Sequence, residues 1–253
     1  MRLPALFGSL DDVAACEERL MNCWPSHQTV VLGDWLCRFA KGYSGRANSA
    51  CSFRPGAAMG EVEIAVVERL YRDAGLLPSF RFSSLIDGGF RRQIEALGYR
   101  PEDASVGMIG AAFDGPVPEG LQLEAAPSPA WLAGACRWQA PSKRDPAHLL
   151  GIVGNIRVPT RFATLFADGE PAAYGLISHD RGMAEFGAVM VDPVRRGGGL
   201  GRKLVTGMID WAYRDGATRI FLQAAIDNDV ARGLYRSLGF VDLYTAAYWR
   251  KPA

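Results

Sequence analysis

Residues 189–205 read "VMVDPVRRGGGLGRKLV": an apolar run, a turn, then four glycines and four basic residues before apolar spacing resumes. The first turn of a helix leaves backbone N–H groups unpaired and carries about half a positive charge. Glycines there let an anion approach the amides without side-chain obstruction, and Arg195, Arg196, Arg202 and Lys203 add cations. The ligand this predicts is a phosphate or pyrophosphate; the plainer alternative is a tight turn with solvated arginines.

Two nucleotide-binding motifs do not fit the stretch. A P-loop needs G-x-x-x-x-G-K-[ST], but Leu204 follows Lys203. A dinucleotide G-x-G-x-x-G opens the first β-α unit of its domain, whereas this loop comes late, after a hairpin and a further strand.

Downstream, "GLGRKLVTGMIDWAYRDGA" and "DVARGLYRSLGF" have helical spacing, while "RIFLQAAI" and "VDLYTAAYW" predict strands. Upstream, "LQLEAA" predicts a strand, "PAWLAGACRWQ" and "DPAHLLGIVGNI" helices, and "TRFATLFADGEPAAYGLISHD" a hairpin turning at "ADGE" ahead of the strand "MAEFGAVMV". The second half thus runs β-α-α-β-β-β-α-β-α-β.

The glycine loop resembles the acyl-CoA loop [QR]-x-x-G-x-[GA] of the GCN5-related N-acetyltransferases: Arg196-Gly197-Gly198-Gly199-Leu200-Gly201 matches it, preceded by Val191-Asp192-Pro193. A second family signature follows in order as Asn228, Ala231, Tyr235 and Leu238-Gly239-Phe240. The resemblance covers residues 120–252. It implies an α/β (α+β) fold with a mixed, mostly antiparallel central sheet flanked by helices. It also implies acetyl-CoA as co-substrate, its pyrophosphate at Arg196, Gly197, Gly198, Gly199, Leu200, Gly201 and Arg202. By the same resemblance, the pantetheine arm meets Asn228 and the backbone of Val189, Met190 and Val191, where family members splay two strands apart.

Before the loop-bearing half, "QTVVLGDWLCRFA" predicts a hairpin, "EVEIAVVERLYRDAG" and "GFRRQIEALGY" helices, and "PSFRFS" and "SVGMIGAAF" strands. Prolines and glycines cluster over residues 110–129, which places a boundary near Pro118 and divides the chain into domains 1–118 and 119–253. "RRQIEALGYRPED" echoes "ARGLYRSLGFVDL", each a helix ending in Leu-Gly-aromatic before a strand, and suggests a diverged internal repeat. The stretch of residues 33–49 resembles the amino-terminal region of two-lobed bacterial acetyltransferases. The first half lacks the acyl-CoA loop, so a degenerate lobe that shapes the acceptor site is expected, and the pseudo-repeat predicts a monomer.

Composition excludes other classes. Lys and Arg total 28 against 27 Asp and Glu, which leaves no general field for nucleic acid or an anionic membrane. Five cysteines, odd in number and without a C-x-x-C pair, argue against a disulfide framework or zinc cluster. Three isolated histidines, His27, His148 and His179, predict no metal site. No apolar stretch is long enough to span a membrane, so a cytoplasmic location is expected.

Acetyl transfer needs a neutral amine, and one with a pKa near 10.4 is only about one part in 2,500 neutral at pH 7. A general base recovers part of that deficit of roughly 4–5 kcal/mol. Glu185, in "MAEFGAVMV", stands where some family members place a catalytic glutamate; an outward-facing strand residue is the other reading. The departing thiolate needs an acid, a role that the motif gives to Tyr235; the alternative is core packing. Arg46 and Asn48 in "SGRANS" suit either a substrate carboxylate or a loop cap, and Trp24, Trp35, Trp131 and Trp138 suit an acceptor pocket or the core.

The expected activity is direct acetyl transfer to a primary amine of a small molecule or peptide, with no covalent acyl-enzyme. The alternative is a non-catalytic acyl-CoA-binding sensor or interaction module.

Overall fold

In the computed structural model, residues 5–139 and 144–251 are described. The readings that touch Met1–Pro4 and Pro252 therefore lie partly outside the described residues. The elements in order are α1 (Leu10–Cys23), β1 (Gln28–Leu32), β2 (Trp35–Phe39), β3 (Ala50–Cys51), α2 (Glu61–Asp73), β4 (Ser79–Phe82), α3 (Gly88–Ala96) and β5 (Arg100–Ala111). There follow β6 (Leu121–Glu124), α4 (Pro129–Arg137), α5 (Pro146–Val153), β7 (Thr160–Ala167), β8 (Glu170–Asp180) and β9 (Met183–Val191). The chain closes with α6 (Leu200–Arg214), β10 (Arg219–Ala225), α7 (Asp229–Arg236) and β11 (Val241–Arg250).

Two compact units emerge. The first extends to Gly107 and takes in Ala224–Asn228 and the chain from Asp242 onward; the second comprises Met108–Gln223 and Asp229–Val241. This grouping differs from a single cut near Pro118, because β11 pairs antiparallel with β4 (Ala247 opposite Phe82) and so belongs with the first unit.

In the first unit the strand order is β1-β2-β3-β4-β11, antiparallel except for β3 beside β4. Helices α2 and α3 supply Val67, Tyr71 and Phe90 to a core with Trp35, Phe80, Phe82 and Trp249. The rings of Trp35, Phe80, Phe82 and Phe90 pack on one another at centroid distances of 5.4–6.2 Å, the range in which aromatic pairs attract. Helix α1 starts where the Ser9 hydroxyl accepts from the Asp12 N–H at 3.1 Å.

In the second unit the order is β10-β9-β8-β7-β6, antiparallel except for β10 beside β9. The predicted hairpin turns at Asp168 and Gly169, both left-handed (φ 54° and 79°). Helix α6 buries Leu204, Val205, Met208 and Ile209, each worth about 1.5–3 kcal/mol relative to exposure. It can lie close because β8 carries Gly175, where an added Cβ would come within 3.0 Å of the Met208 sulfur. On the opposite face Gly134 of α4 does the same for the ring of Tyr174. The expected mixed, mostly antiparallel sheet flanked by helices is what the chain forms.

Candidate active site

The glycine loop is an exposed turn entering α6. Gly197 and Gly199 adopt left-handed φ values of 85° and 77°, which only glycine takes without strain, and Gly199 is the N-cap. A Cβ on Gly198 would meet nothing closer than the Arg195 carbonyl at 3.6 Å, so the amides of this turn are approachable. Helical bonding starts with the Lys203 N–H to the Gly199 carbonyl at 3.0 Å; the amides before it face outward from the positive end of the helix. These residues fit a pyrophosphate.

The cations divide by role. Arg195 is committed to the fold, donating to the Ala167 carbonyl at 2.8 Å beside Asp168 and Asp192. Arg202 donates to the Ser237 hydroxyl and so ties the start of α6 to α7. Arg196 and Lys203 are exposed. Lys203 and Leu200 also border a cavity of about 570 Å³ whose wall includes Glu119 and Asp168.

Strand β9 leads into the loop and is bulged. Its register with β8 slips between Tyr174 opposite Met190 and Leu176 opposite Gly187, and Ala188 there has φ 51°. A left-handed alanine costs roughly 1–2 kcal/mol, so the surrounding structure holds it there. Parallel pairing with β10 runs only from Met183–Arg219 to Glu185–Phe221, although β9 continues to Val191 and β10 to Gln223 within the same unit. The half-buried residues Val189, Met190 and Val191 lie in that unpaired stretch. A Cβ on Gly201 would touch Val191 at 3.6 Å and Leu234 of α7 at 3.5 Å, so the strand end, the loop and α7 meet.

Alternation assigns faces. Gly175 lies against α6, whereas Tyr174 lies against α4, and Glu185, paired with Ser178, shares the Tyr174 face. Glu185 is 3% exposed. Beside it a hydroxyl pair, Ser178 and Thr160, stands at 2.9 Å, with Thr160 also donating to the Val158 carbonyl. Neither hydroxyl was singled out by the sequence reading; their polar positions on one face of two neighbouring apolar strands were the available signal.

Tyr235 is buried in α7, its ring packed on Phe186 at 5.4 Å and Phe240 at 6.2 Å. Burial pushes its pKa up to about 12, so at neutral pH it is a hydroxyl donor. Phe186 follows Glu185 and so points to the opposite face, which places the carboxylate and the phenol on either side of one strand. Asn228 falls in the first compact unit, where its N–H donates to the Ala225 carbonyl at 3.0 Å.

The remaining candidates settle into structural roles. Asn48 is a loop cap: its Oδ1 accepts from the Ala40 and Gly42 N–H groups at 2.7 and 2.9 Å, and its amide donates to the Ser44 carbonyl. Arg46 stacks on Trp24 at 5.6 Å. Trp35 and Trp131 are core residues, each indole N–H donating to backbone carbonyls; Trp138 is half-buried against Tyr174 at 5.6 Å. His179 is held by Asp215 at 2.8 Å and accepts from the Gly182 N–H. The five cysteines are buried thiols outside any disulfide, and among the described residues no group of three or more His, Cys, Asp or Glu could hold a metal ion. Among the described residues no helix is long and apolar enough to cross a membrane.

A glycine turn follows a bulged strand that parts from its parallel neighbour, within the fold of the GCN5-related N-acetyltransferases. A family model described as "Probable histone acetyltransferase Rv0428c C-terminal" matches residues 11–249, and the chain belongs to that family. It is 24% identical over 238 residues to the "Uncharacterized N-acetyltransferase YobR" of Bacillus subtilis, covering 91% of this chain and 95% of that protein. A GCN5-related N-acetyltransferase from Kribbella flavida shares the fold with a TM-score of 0.71 at 18% identity, over 98% and 97% of the two chains. A tandem GNAT protein from the clavulanic acid biosynthesis pathway aligns with a TM-score of 0.58 at 16% identity, over 79% and 74%.

Proposed function

We propose that the protein transfers the acetyl group of acetyl-CoA directly to a primary amine of a small molecule or peptide. The observation that carries this is the loop of Arg196–Arg202: two left-handed glycines expose the first amides of α6 beside the end of β9. Those amides and Arg196 bind the pyrophosphate, while the edge of Val189, Met190 and Val191 left unpaired by β10 takes the pantetheine arm.

In the proposed reaction the amine nitrogen attacks the acetyl carbonyl carbon and loses its proton to Glu185. The carbon–sulfur bond breaks, and the thiolate accepts a hydrogen bond or proton from Tyr235. Burial suits Tyr235 to its role: a phenol with a raised pKa stays protonated.

The division into 1–118 and 119–253 is proposed as one of ancestry, with the first part a degenerate lobe; the tandem relative supports that reading. A monomer in the cytoplasm accords with the expected pseudo-repeat. The test is thiol release from acetyl-CoA with a panel of small amines, amino acids, aminoglycosides and lysine-containing peptides, the last suggested by the family description. Amine-dependent release lost in Glu185→Gln supports the proposal; acetyl-CoA binding without release for any amine would favour the sensor.

A further inference from the structure

The sheet of the first unit has one apolar and one polar buried face. Trp35, Cys37, Ala50, Phe80, Phe82 and Trp249 enter the hydrophobic core. Alternation turns Arg38, Ser49, Cys51, Ser79 and Arg81 the other way, the face on which α1 meets Arg38, Cys51 and Arg81. Arg81 donates to Glu17, the Cys51 thiol lies 3.6 Å from the Met21 sulfur, and Arg38 donates to the carbonyls of Trp24 and Arg46.

Register aligns four residues of that face in a row. Cys37 pairs with Ala50, so Arg38 stands opposite Ser49, whose carbonyl accepts from the Arg38 N–H at 3.4 Å. Ala50 pairs with Phe80, which sets Ser79 beside Ser49, and Ser79 pairs with Arg250. Both serine side chains are interior, 0% and 2% exposed, yet neither hydroxyl has a hydrogen-bond partner. A buried unpaired hydroxyl costs about 1–3 kcal/mol, so two adjacent ones are rarely left empty.

The charge of this interior is also unbalanced. Among the described residues, the charged side chains that the first unit buries are Glu17, Arg38 and Arg81. Glu17 is engaged by Arg81 and by the Tyr244 hydroxyl, which leaves one guanidinium in excess. The Arg38 acceptors given above, together with the Met21 sulfur, are all neutral. Burial lowers the Arg38 pKa, whereas Glu17 overcomes burial at Arg81 and holds that group well above its ordinary value. Cys51 supplies no counter-charge, since burial outweighs its arginine neighbours and raises its pKa. At the end of the row, Arg250 is held by Glu102 and Asp103 at 3.1 and 2.9 Å.

We propose that the first unit binds a small carboxylate at this row, its oxygens accepting from the Ser49 and Ser79 hydroxyls and its charge balancing Arg38. The match is one of number: two orphan donors for two oxygens, one excess cation for one anion. A neutral amide leaves the cation uncompensated, and a dianion overshoots it. The loop capped by Asn48 closes the seat; a Cβ on its Gly45 would come within 3.0 Å of the Tyr248 ring and 3.2 Å of the Arg250 guanidinium. The site is independent of the acetyl-CoA loop.

The test uses the full chain without acetyl-CoA, titrated calorimetrically with acetate, propionate, acetamide and inorganic phosphate. Saturable binding of acetate or propionate, with none of acetamide or phosphate, is expected. Ser49→Ala with Ser79→Ala should weaken it at least tenfold, as loss of hydrogen bonds to a charged group implies, while circular dichroism stays unchanged. If the double variant does not fold, Ser79→Ala alone should still weaken binding about threefold or more. No saturable carboxylate binding, equal binding by the folded variants, or a crystal soaked in acetate that shows only a water between Ser49 and Ser79 would overturn the proposal.

Discussion

Phe186 packs edge-on against Tyr235, ring centroids 5.4 Å apart and planes at 62°. That contact fixes the phenol against the strand whose preceding residue, Glu185, faces the other side of the sheet. The strand parts from β10 after Glu185, so the carboxylate and the phenol flank the place where pairing stops.

Glu185→Gln should lower kcat/KM by a factor on the order of 10²–10⁴, the usual contribution of a positioned general base, with acetyl-CoA affinity unchanged. Steady-state kinetics on the best acceptor of the amine panel measures it. A fall of less than about threefold, with chemistry rate-limiting, would return Glu185 to the role of a buried strand residue.

Tyr235→Phe should reduce kcat at least tenfold and leave acetyl-CoA binding nearly intact, because in the proposed reaction the hydroxyl acts on the leaving thiolate. The pH profile carries the sign: burial raises the pKa to about 12, so the donor keeps its proton throughout pH 7–10. Activity should show no alkaline decline from this group over that range; a decline present in the wild type and absent in Tyr235→Phe would contradict the assignment.

Glu17, buried with Arg81, should behave as a structural ion pair. Glu17→Leu alone should cost about 3–5 kcal/mol by leaving a guanidinium without its carboxylate. Joined to Arg81→Met, most of that loss should be recovered. Urea denaturation of the three proteins decides, and a double variant no more stable than the single one contradicts the account.

A fragment of residues 120–253 should not reproduce the activity of the whole chain. Strand β11 loses β4, to which it is hydrogen-bonded from Ala247–Phe82 to Arg250–Ser79. Expression, thermal melting and thiol release check it; a soluble, stable fragment that turns over as fast as the full chain would show the first part to be dispensable.

The glycine loop, the hairpin at Asp168-Gly169 and the helix α6 were legible because each rests on local chemistry: φ requirements and periodicity. Helix α1 was missed although Ser9 and Asp12 spell its cap, and β3 is too short to leave a pattern. Arg38 and Arg81 occupy the polar phase of amphipathic strands, a pattern that does not announce burial; Glu17 of α1 meets Arg81, and Met21 of the same helix meets Arg38. The Leu-Gly-aromatic echo has a general cause as well. Gly98 and Gly239 are left-handed, and the next N–H bonds back to Ile94 and Tyr235, but Gly75 and Gly216 end α2 and α6 by the same geometry. A shared helix stop is therefore weak support for a repeat. The pairing of β11 with β4 spans most of the chain and leaves no local mark.

The most direct measurement is calorimetric titration of acetyl-CoA into the wild type and Gly199→Val. Gly199 caps α6 at φ 77°, where a β-branched residue is strained and its side chain obstructs the amides. The account predicts saturable binding at a single site, weakened more than tenfold in Gly199→Val while the variant remains folded by circular dichroism. No saturable binding to the wild type, or equal affinity in a folded Gly199→Val, would contradict it.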